Sequence, residues 1–305
     1  MYRSSGSHLM PVLMVKLGLK YRDMNNSNQS ISKIVFLGTG TPNADPKRSG
    51  PSVAIVIADQ AYLIDFGPGV IRRASAAFAA GINALEPSLL NIAFLTHLHS
   101  DHTIGLPDLI LTPWVIERSK PLQVYGPAGL KSMTDHIISA YQADISQRLH
   151  GPEPANIVGC NVIVEEIHPG EIYQDTNITV HAFLANHGTW DAFGFRLITP
   201  DRTIVISGDT APHPACLSNY KDCDVLIHEV YSTKAFSKLP AGWQEYHRKY
   251  HTSAVELGKI ASQANPGLII LYHQLTWGSS IGELIKEIRQ HFPGDVVSAN
   301  DLDIY

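Results

Sequence analysis

The sequence predicts an α/β fold, a four-layered αββα sandwich in which two sheets pack face to face between outer helices. Short apolar runs bounded by turn residues alternate with stretches of helical periodicity. Several late strands are continuous apolar runs, as expected where helices cover one face of a sheet and a second sheet covers the other. Hydrophobic residues make up 44% of the 305 residues and charged residues only 17%, which is typical of a packed globular chain.

The predicted elements follow this alternation in order. Three strands, KIVFLG, SVAIVIA and AYLIDF, precede a helix that starts at Val70 and ends before Gly81. The strand NIAFLT, the polar loop HLHSDH, the strand LQVYG and one helix with an apolar face from Leu130 to Ile145 come next. Residues 161–195 are predicted to be rich in β-structure. The last part alternates again, with strands TIVIS, DVLIH and LIILY and helices near 253–264 and 281–291.

Composition limits the domain organisation and the compartment. Residues 1–23 resemble an expression tag or a disordered leader, so residues 24–305 are predicted to form a single domain. No apolar run is long enough to span a bilayer, and a cytoplasmic location is therefore the default expectation, although a removed signal peptide would change it. The three cysteines are odd in number and lack C-x-x-C spacing, which argues against a disulfide framework or a thiolate metal site.

Fifteen histidines are the unusual feature of the composition, and several of them are arranged. In the segment THLHSDH, which directly follows an apolar strand, His97 and His99 project to the same side because side chains alternate along extended chain. Asp101 and His102 lie just beyond them, where the loop turns. Imidazole and carboxylate ligands suit zinc, and manganese or iron also fit. The sequence therefore predicts a metal site at this strand end.

The motif H-x-H-x-D-H resembles the signature of the metallo-β-lactamase superfamily, and further motifs of that family follow in the same order. They are LIDFGPG, ANHG, SGDT and LIILYHQ, and the resemblance covers residues 33 to about 300. It implies two zinc ions per chain, with His97, His99 and His187 on one, Asp101, His102 and His273 on the other, and Asp209 between them. Asp101 would also accept a proton from the attacking water. Asp65 and His228 would support the ligands from outside, with a simple strand-end cap as the alternative for Asp65.

Two later segments are similar to the tRNase Z and arylsulfatase-like branch of that superfamily. HTSA resembles the H-S-T element in which a histidine protonates the leaving oxygen, which implies this role for His251. HEVY resembles the H-E-A-T element and implies that Glu229 orients His251. A polar residue at a helix start is the competing interpretation for His251, and a buried structural carboxylate is the competing one for Glu229.

The substrate is less constrained than the metal ligands. Six aromatic residues lie near the late ligands in sequence and are candidates for the wall of a substrate pocket, with core packing as the alternative. They are Trp190, Tyr231, Trp243, Tyr246, Tyr250 and Trp277, and Trp190, Tyr231 and Trp277 are the ones we favour. Arg48 is a candidate for contacting an anionic group of the substrate, with a solvated surface role as the alternative.

The favoured function is hydrolysis of a small anionic phosphodiester or sulfate ester by a homodimeric enzyme. Cleavage of tRNA 3′ precursors is the disfavoured alternative, for two reasons. Only 22 residues separate His187 from Asp209, where tRNase Z enzymes usually insert a tRNA-gripping arm, and the net charge is −5 with no block of Lys or Arg. Lactonase, β-lactamase or glyoxalase-like thioesterase activity, or a non-catalytic pseudoenzyme on the same scaffold, would also be compatible with these motifs.

Overall fold

Two β-sheets form the centre of the computed structural model, which describes residues 31–153 and 155–305. The predicted leader, residues 1–23, and the predicted domain start at residue 24 lie outside the described residues. Each sheet is built from one continuous half of the chain. The first sheet has the order β1-β2-β3-β4-β5-β6. Its strands are β1 Ser32–Gly38, β2 Ser52–Ile57, β3 Gln60–Ile64, β4 Ile92–Phe94, β5 Leu122–Gly126 and β6 Val162–Glu166.

The second sheet has seven strands in the order β13-β12-β11-β10-β9-β8-β7. It is antiparallel from β7 to β10 and parallel from β10 to β13, so several strands end at the same edge. Its strands are β7 Gly170–Gln174, β8 Thr179–Leu184, β9 Phe193–Ile198, β10 Thr203–Ile206, β11 Val225–Tyr231, β12 Leu268–Leu275 and β13 Asp295–Ser298.

Helices cover the outer face of each sheet. Those of the first half are α1 Val70–Ala79, α2 Ser100–Thr103, α3 Leu106–Val115, α4 Leu130–Ala140 and α5 Gln142–His150. Those of the second half are α6 Pro214–Tyr220, α7 Thr233–Phe236, α8 Ala241–Tyr250, α9 Ala254–Ala264 and α10 Ile281–Arg289. Ser253 and Glu256 form a capping box at the start of α9.

Three apolar clusters hold the layers together. The central cluster joins side chains of both sheets, such as Phe36 and Phe94 from the first and Phe195 and Ile206 from the second. A second cluster packs α1, α3 and α4 on the first sheet, and a third packs α6, α9 and α10 on the second. Each sheet is thus buried on both faces, which explains the continuous apolar runs. The predicted αββα sandwich is confirmed.

The structure differs from the predicted elements in a few places. The helix predicted from Leu130 to Ile145 is two helices, because the backbone at Tyr141 leaves the helical conformation. The predicted strand NIAFLT is shorter than expected and covers Ile92–Phe94, since the backbone bends at Thr96 toward the loop that follows. Helix α3 was not predicted because it contains two prolines, one of them inside the helix. Among the described helices, none is long and apolar enough to cross a bilayer.

Candidate active site

Four of the predicted ligands lie where β4 ends and the chain turns into α2. His97 is fully buried in the segment between β4 and α2, and His99 is the residue preceding α2. Asp101 and His102 follow in the first turn of that helix. His97 Nε2 lies 3.1 Å from His99 Nδ1, and His102 Nε2 lies 3.5 Å from Asp101 Oδ2. This short stretch therefore places two pairs of ligand atoms side by side.

The second sheet brings the remaining three predicted ligands to the same place. His187 follows β8, Asp209 follows β10, and His273 lies near the end of β12. His187 Nε2 is 3.1 Å from His99 Nδ1, and His273 Nε2 is 3.2 Å from Asp101 Oδ2. His273 has a left-handed backbone with φ of 45°, which is rare outside glycine and is found often at functional sites.

Asp209 lies between two trios of candidate ligands. One trio is His97, His99 and His187, and the other is Asp101, His102 and His273; in each, the ligand atoms lie within 4.8 Å of one another. Asp209 Oδ2 is 3.9 Å from His97 Nε2, 3.7 Å from His102 Nε2 and 3.6 Å from His273 Nε2. The central carboxylate therefore faces a histidine of each trio.

Asp65 is hydrogen-bonded directly to His102 of one trio and, through the Thr96 hydroxyl, to His97 of the other. Its Oδ2 lies 2.8 Å from His102 Nδ1 and accepts a hydrogen bond of 3.0 Å from the Thr96 hydroxyl. The same hydroxyl lies 2.9 Å from His97 Nδ1. If both Nδ1 atoms carry the proton, both Nε2 atoms are free to bind a cation. Asp65 and Thr96 together can thus set the tautomer of His97 and His102.

His187 is oriented by a backbone group rather than by a carboxylate. Its Nδ1 lies 2.8 Å from the carbonyl oxygen of Tyr250, at the end of α8. A carbonyl can only accept, so Nδ1 carries the proton and Nε2 points toward His99 as a free ligand atom. The end of α8 therefore helps to shape the site.

The protonation of the cluster separates into two patterns. Burial lowers the pKa of His99 and His187 to about 4, and burial and His102 lower that of His97, so this trio is neutral. Burial also opposes a charge on His102, but nearby carboxylates, Asp65 first, outweigh it and raise its pKa. The pKa of Asp209 falls despite burial because His273 and His102 surround it. The raised pKa values of His102 and His273 therefore balance the charge of the buried carboxylates around them.

The donor set fits divalent cations. In the part of the chain that the structure describes, Asp209 Oδ1 and His102 Nε2 are buried without a hydrogen-bond partner. Such atoms are costly to bury unless a cation or water binds them. Nitrogen and oxygen donors of this kind suit zinc, and three such residues are the number that a catalytic zinc site usually takes from the protein.

His251 and Glu229 form a buried pair beside the two trios. His251 Nδ1 lies 3.4 Å from Glu229 Oε2 and 3.9 Å from Asp209 Oδ2. Glu229 Oε1 accepts hydrogen bonds from the backbone N–H groups of Thr252 and Thr210, which ties the residues after His251 and Asp209 together. Burial lowers the pKa of His251 to about 4 and raises that of Glu229. Both shifts favour the neutral forms, so burial disfavours an ion pair between His251 and Glu229.

The sequence is similar to that of proteins of one known superfamily. Residues 60–274 match the Beta-lactamase superfamily domain. The chain belongs to the beta-lactamase superfamily. A "Ribonuclease Z" of Mycobacterium bovis is 30% identical over 285 residues, covering 88% of this chain and 96% of that protein. A "Ribonuclease Z" of Mycobacterium marinum is 31% identical over 251 residues, covering 79% of this chain and 85% of that protein.

Solved structures of the superfamily share the fold. The metallo-beta-lactamase fold protein YhfI from Bacillus subtilis is 18% identical with a TM-score of 0.68, covering 90% of this chain and 98% of that chain. The short form of human tRNase Z is 21% identical with a TM-score of 0.65, at the same coverages. Membership of the superfamily confirms the prediction of a metal-dependent hydrolase acting on ester bonds.

The predicted pocket residues occupy different positions around the superfamily site. The Trp190 ring lies 4.4 Å from the His99 ring and is 41% exposed, so it borders the trio from the solvent side. Tyr231 is buried against Phe236 and Trp277, so its ring takes part in core packing, the alternative to a place in the pocket wall. The Trp277 ring also lies 4.7 Å from the ring of His247, so it reaches toward the site through that histidine.

Arg48 and His228 have partners other than those predicted. Arg48 donates to the Thr39 hydroxyl, to the Ala299 carbonyl and to the Asn300 side chain, so its guanidinium is engaged within the protein. His228 Nε2 lies 3.3 Å from the Tyr220 hydroxyl. Successive residues of a strand face opposite sides, so His228 points to the helix layer whereas Glu229 points to the site. The hydrogen bonds of neither residue reach the seven candidate ligands.

Sequence reasoning missed several groups that shape the site. The Tyr250 carbonyl is one, since any residue can supply a carbonyl and the sequence contains no signal for it. Thr96 is another, although it lies directly before the histidine motif. His251 groups with His187 and Asp209, and Glu229 groups with His251 and His273, so these two are an eighth and a ninth residue that could hold a metal ion.

Proposed function

We propose that this chain is a dinuclear zinc-dependent phosphodiesterase whose centre also suits sulfate esters. The observation that carries the proposal is the position of Asp209 Oδ2, within 3.9 Å of a histidine nitrogen from each trio. His97, His99 and His187 would hold one ion, Asp101, His102 and His273 the other, and Asp209 would bridge them. Two such ions would acidify a bound water and stabilise the charge that develops on the attacked centre.

The residues of the chain supply the proton transfers. As the water oxygen forms its bond to phosphorus, Asp101 accepts the proton of the water. As the bond to the leaving oxygen breaks, His251 donates a proton to that oxygen. Burial, together with the nearby His273 and His102, keeps the pKa of His251 low. The negative charge of a bound phosphodiester would raise that pKa in the complex, so that His251 could carry the proton it donates. Glu229 orients the imidazole through Nδ1.

The role of His251 is tested by leaving groups of different basicity. A ribose or alkyl oxygen needs a proton to leave, whereas p-nitrophenolate is stable without one. His251→Ala should therefore slow hydrolysis of a dinucleotide by about 10²- to 10⁴-fold and that of bis(p-nitrophenyl) phosphate far less. An equal loss of kcat on both substrates would show that His251 is not the proton donor. Metal content of the variant must be measured in parallel, because His251 is also a possible ligand.

Ribonuclease Z activity is the second candidate. The relatives described above carry that name over 85% or more of their length, so the ranking of tRNA behind small esters is not supported by them. The described segment between His187 and Asp209 is occupied by the hairpin of β9 and β10, so an RNA substrate would need contacts elsewhere. Homodimer assembly and a cytoplasmic location stay predictions.

One panel separates these functions. Bis(p-nitrophenyl) phosphate, an aryl sulfate, a lactone and a tRNA 3′ precursor are given to the zinc-loaded protein with and without chelator. We expect chelator-sensitive hydrolysis of the phosphodiester and two zinc ions per chain. Cleavage of the precursor in addition would support ribonuclease Z activity. Turnover of the lactone alone, or none on any ester with zinc restored, would refute the proposal.

A further inference from the structure

Helix α8 carries a row of rings on one face. Trp243, Tyr246, His247 and Tyr250 have the spacing i, i+3, i+4 and i+7, which places their side chains on the same side of the helix. The Tyr246 and Tyr250 rings are stacked with centroids 4.5 Å apart. The Trp243 ring lies 5.8 Å from that of Tyr246. We refer to Trp243, Tyr246 and Tyr250 as the α8 aromatic row.

The inner end of the α8 aromatic row contacts the active site. The Tyr250 ring lies 5.2 Å from that of the ligand His187 and packs against the backbone of Gly188. A Cβ at Gly188 would come within 2.2 Å of that ring, so the glycine permits the close contact. The Tyr246 ring lies 6.3 Å from that of His251. A ring attached to a substrate held at the two trios is therefore within reach of the row.

The outer end of the row is open to solvent. Trp243 is 57% exposed, Tyr246 and Tyr250 are half-buried, and His247 on the same face is buried beneath them. A row that served only to fill the core would not leave its largest ring exposed. Base stacking on such partly exposed rings is a common way to bind single-stranded nucleic acid.

The charge of the helix complements a phosphodiester. Although the whole chain has a net charge of −5, the last turn of α8 carries Arg248 and Lys249. Lys249 pairs with Glu245 at 2.8 Å, while Arg248 lies over the ring of Phe236. With Glu245 as the one acidic residue of α8, the helix has a net charge of +1 and does not repel a phosphodiester.

We propose that the α8 aromatic row is a substrate subsite that stacks a planar ring joined to the scissile phosphodiester, either a nucleobase or an aryl group. This inference rests on the proposed function, because the phosphate must lie at the two trios for its ring to reach the row. On this proposal, Tyr246 and Trp243 determine the specificity of the enzyme for substrates that carry a planar ring.

The test compares ligands that differ only in the ring, by calorimetric titration of the zinc-loaded protein. Adenosine 5′-monophosphate is paired with ribose 5-phosphate, and phenyl phosphate with methyl phosphate. Stacking of one ring predicts about 5- to 150-fold tighter binding of the ring-bearing member. A preference confined to the first pair identifies the nucleobase as the ring that is bound, and one confined to the second identifies the aryl group.

Variants locate the preference. Tyr246→Leu and Trp243→Ala should each lower the preference several-fold, whereas Tyr246→Phe, which keeps the ring, should retain it. Tyr141→Leu, at an exposed tyrosine after α4, is the matched control and should also retain it. Circular dichroism checks that each variant is folded.

The outcomes separate the subsite from the function. Ratios near one in both pairs, or ratios unchanged in Tyr246→Leu and Trp243→Ala, would overturn the subsite while the phosphates still bind. Failure of all four ligands to bind would instead overturn the proposed function and the subsite with it. Because binding is measured without turnover, loss of catalysis in a variant does not obscure the result.

Discussion

Replacing Asp65 by Asn should weaken both metal sites at once. Asp65 Oδ1 accepts a hydrogen bond of 2.8 Å from the backbone N–H of Thr96, and that donor cannot be reversed. The new amide must therefore keep its oxygen there and place its NH₂ group where Oδ2 stood, facing the Thr96 hydroxyl and His102 Nδ1. His102 must then accept at Nδ1 and carry its proton on Nε2, which blocks the ligand atom.

The same substitution should also change the tautomer of His97, because the Thr96 hydroxyl lies between Asp65 and His97. Since the amide now donates to the Thr96 hydroxyl, that hydroxyl turns its own proton toward His97 Nδ1, and the proton of His97 moves to Nε2. Loss of a supporting partner of this kind costs about 10- to 100-fold in metal affinity. Because His97 and His102 belong to different trios, we expect a loss of that size at each site.

Competition titration against a chromophoric chelator, with metal content measured by mass spectrometry, gives both affinities. Asp175→Asn is the control, since that carboxylate accepts hydrogen bonds from Tyr62 and Tyr173 and from two backbone N–H groups, away from the candidate ligands. It should leave metal affinity at the wild-type value. Two ions held by Asp65→Asn as tightly as by the wild type would refute the assignment of the tautomers.

Three further predictions concern stability. At a free zinc concentration 100-fold above the Kd, each bound ion should raise the melting temperature by about 5 °C, so chelation should lower it by that amount. Scanning fluorimetry with and without chelator measures the difference, and an unchanged melting temperature would contradict ion binding. Burial lowers the pKa of His228 to about 4, below its unfolded value of 6.5, so the unfolded chain binds more protons between these values. Stability should be full above pH 6.5 and fall by at most about 3 kcal/mol as the pH drops to 4, and His228→Asn should flatten this slope in urea titrations at pH 7.5 and 5. Ser253→Ala removes the cap of α9 and should cost about 1 kcal/mol in urea unfolding, while Ser262→Ala, in the interior of the same helix, should cost less.

The sequence is informative about the site where ligands follow strands directly. The strand before THLHSDH and the alternation of its side chains are local features, so the position of His97, His99, Asp101 and His102 at one strand end could be predicted. That His187, Asp209 and His273 meet them depends on how two sheets pack. This long-range packing was accessible only through resemblance to a known family.

Several features left no usable signal in the sequence. Helix α8 contains few aliphatic residues, so its periodicity could not be recognised, although four of its side chains are rings. His228 and Glu229 are neighbours in sequence, and only the direction of the strand decides which of them faces the site. The engagement of Arg48 by Thr39, Ala299 and Asn300 joins segments about 250 residues apart, which local patterns cannot reveal.

The division of the chain into two sheet-forming halves has a consequence for assembly. Residues 32–166 and 170–298 each contain a complete sheet, and the described connection between them is only residues 167–169. Each trio takes two members from the first half and one from the second. A protein cleaved at this connection would yield two fragments that each lack an intact cation cage. Zinc uptake that returns when the two fragments are mixed would therefore show that they have associated in their native arrangement.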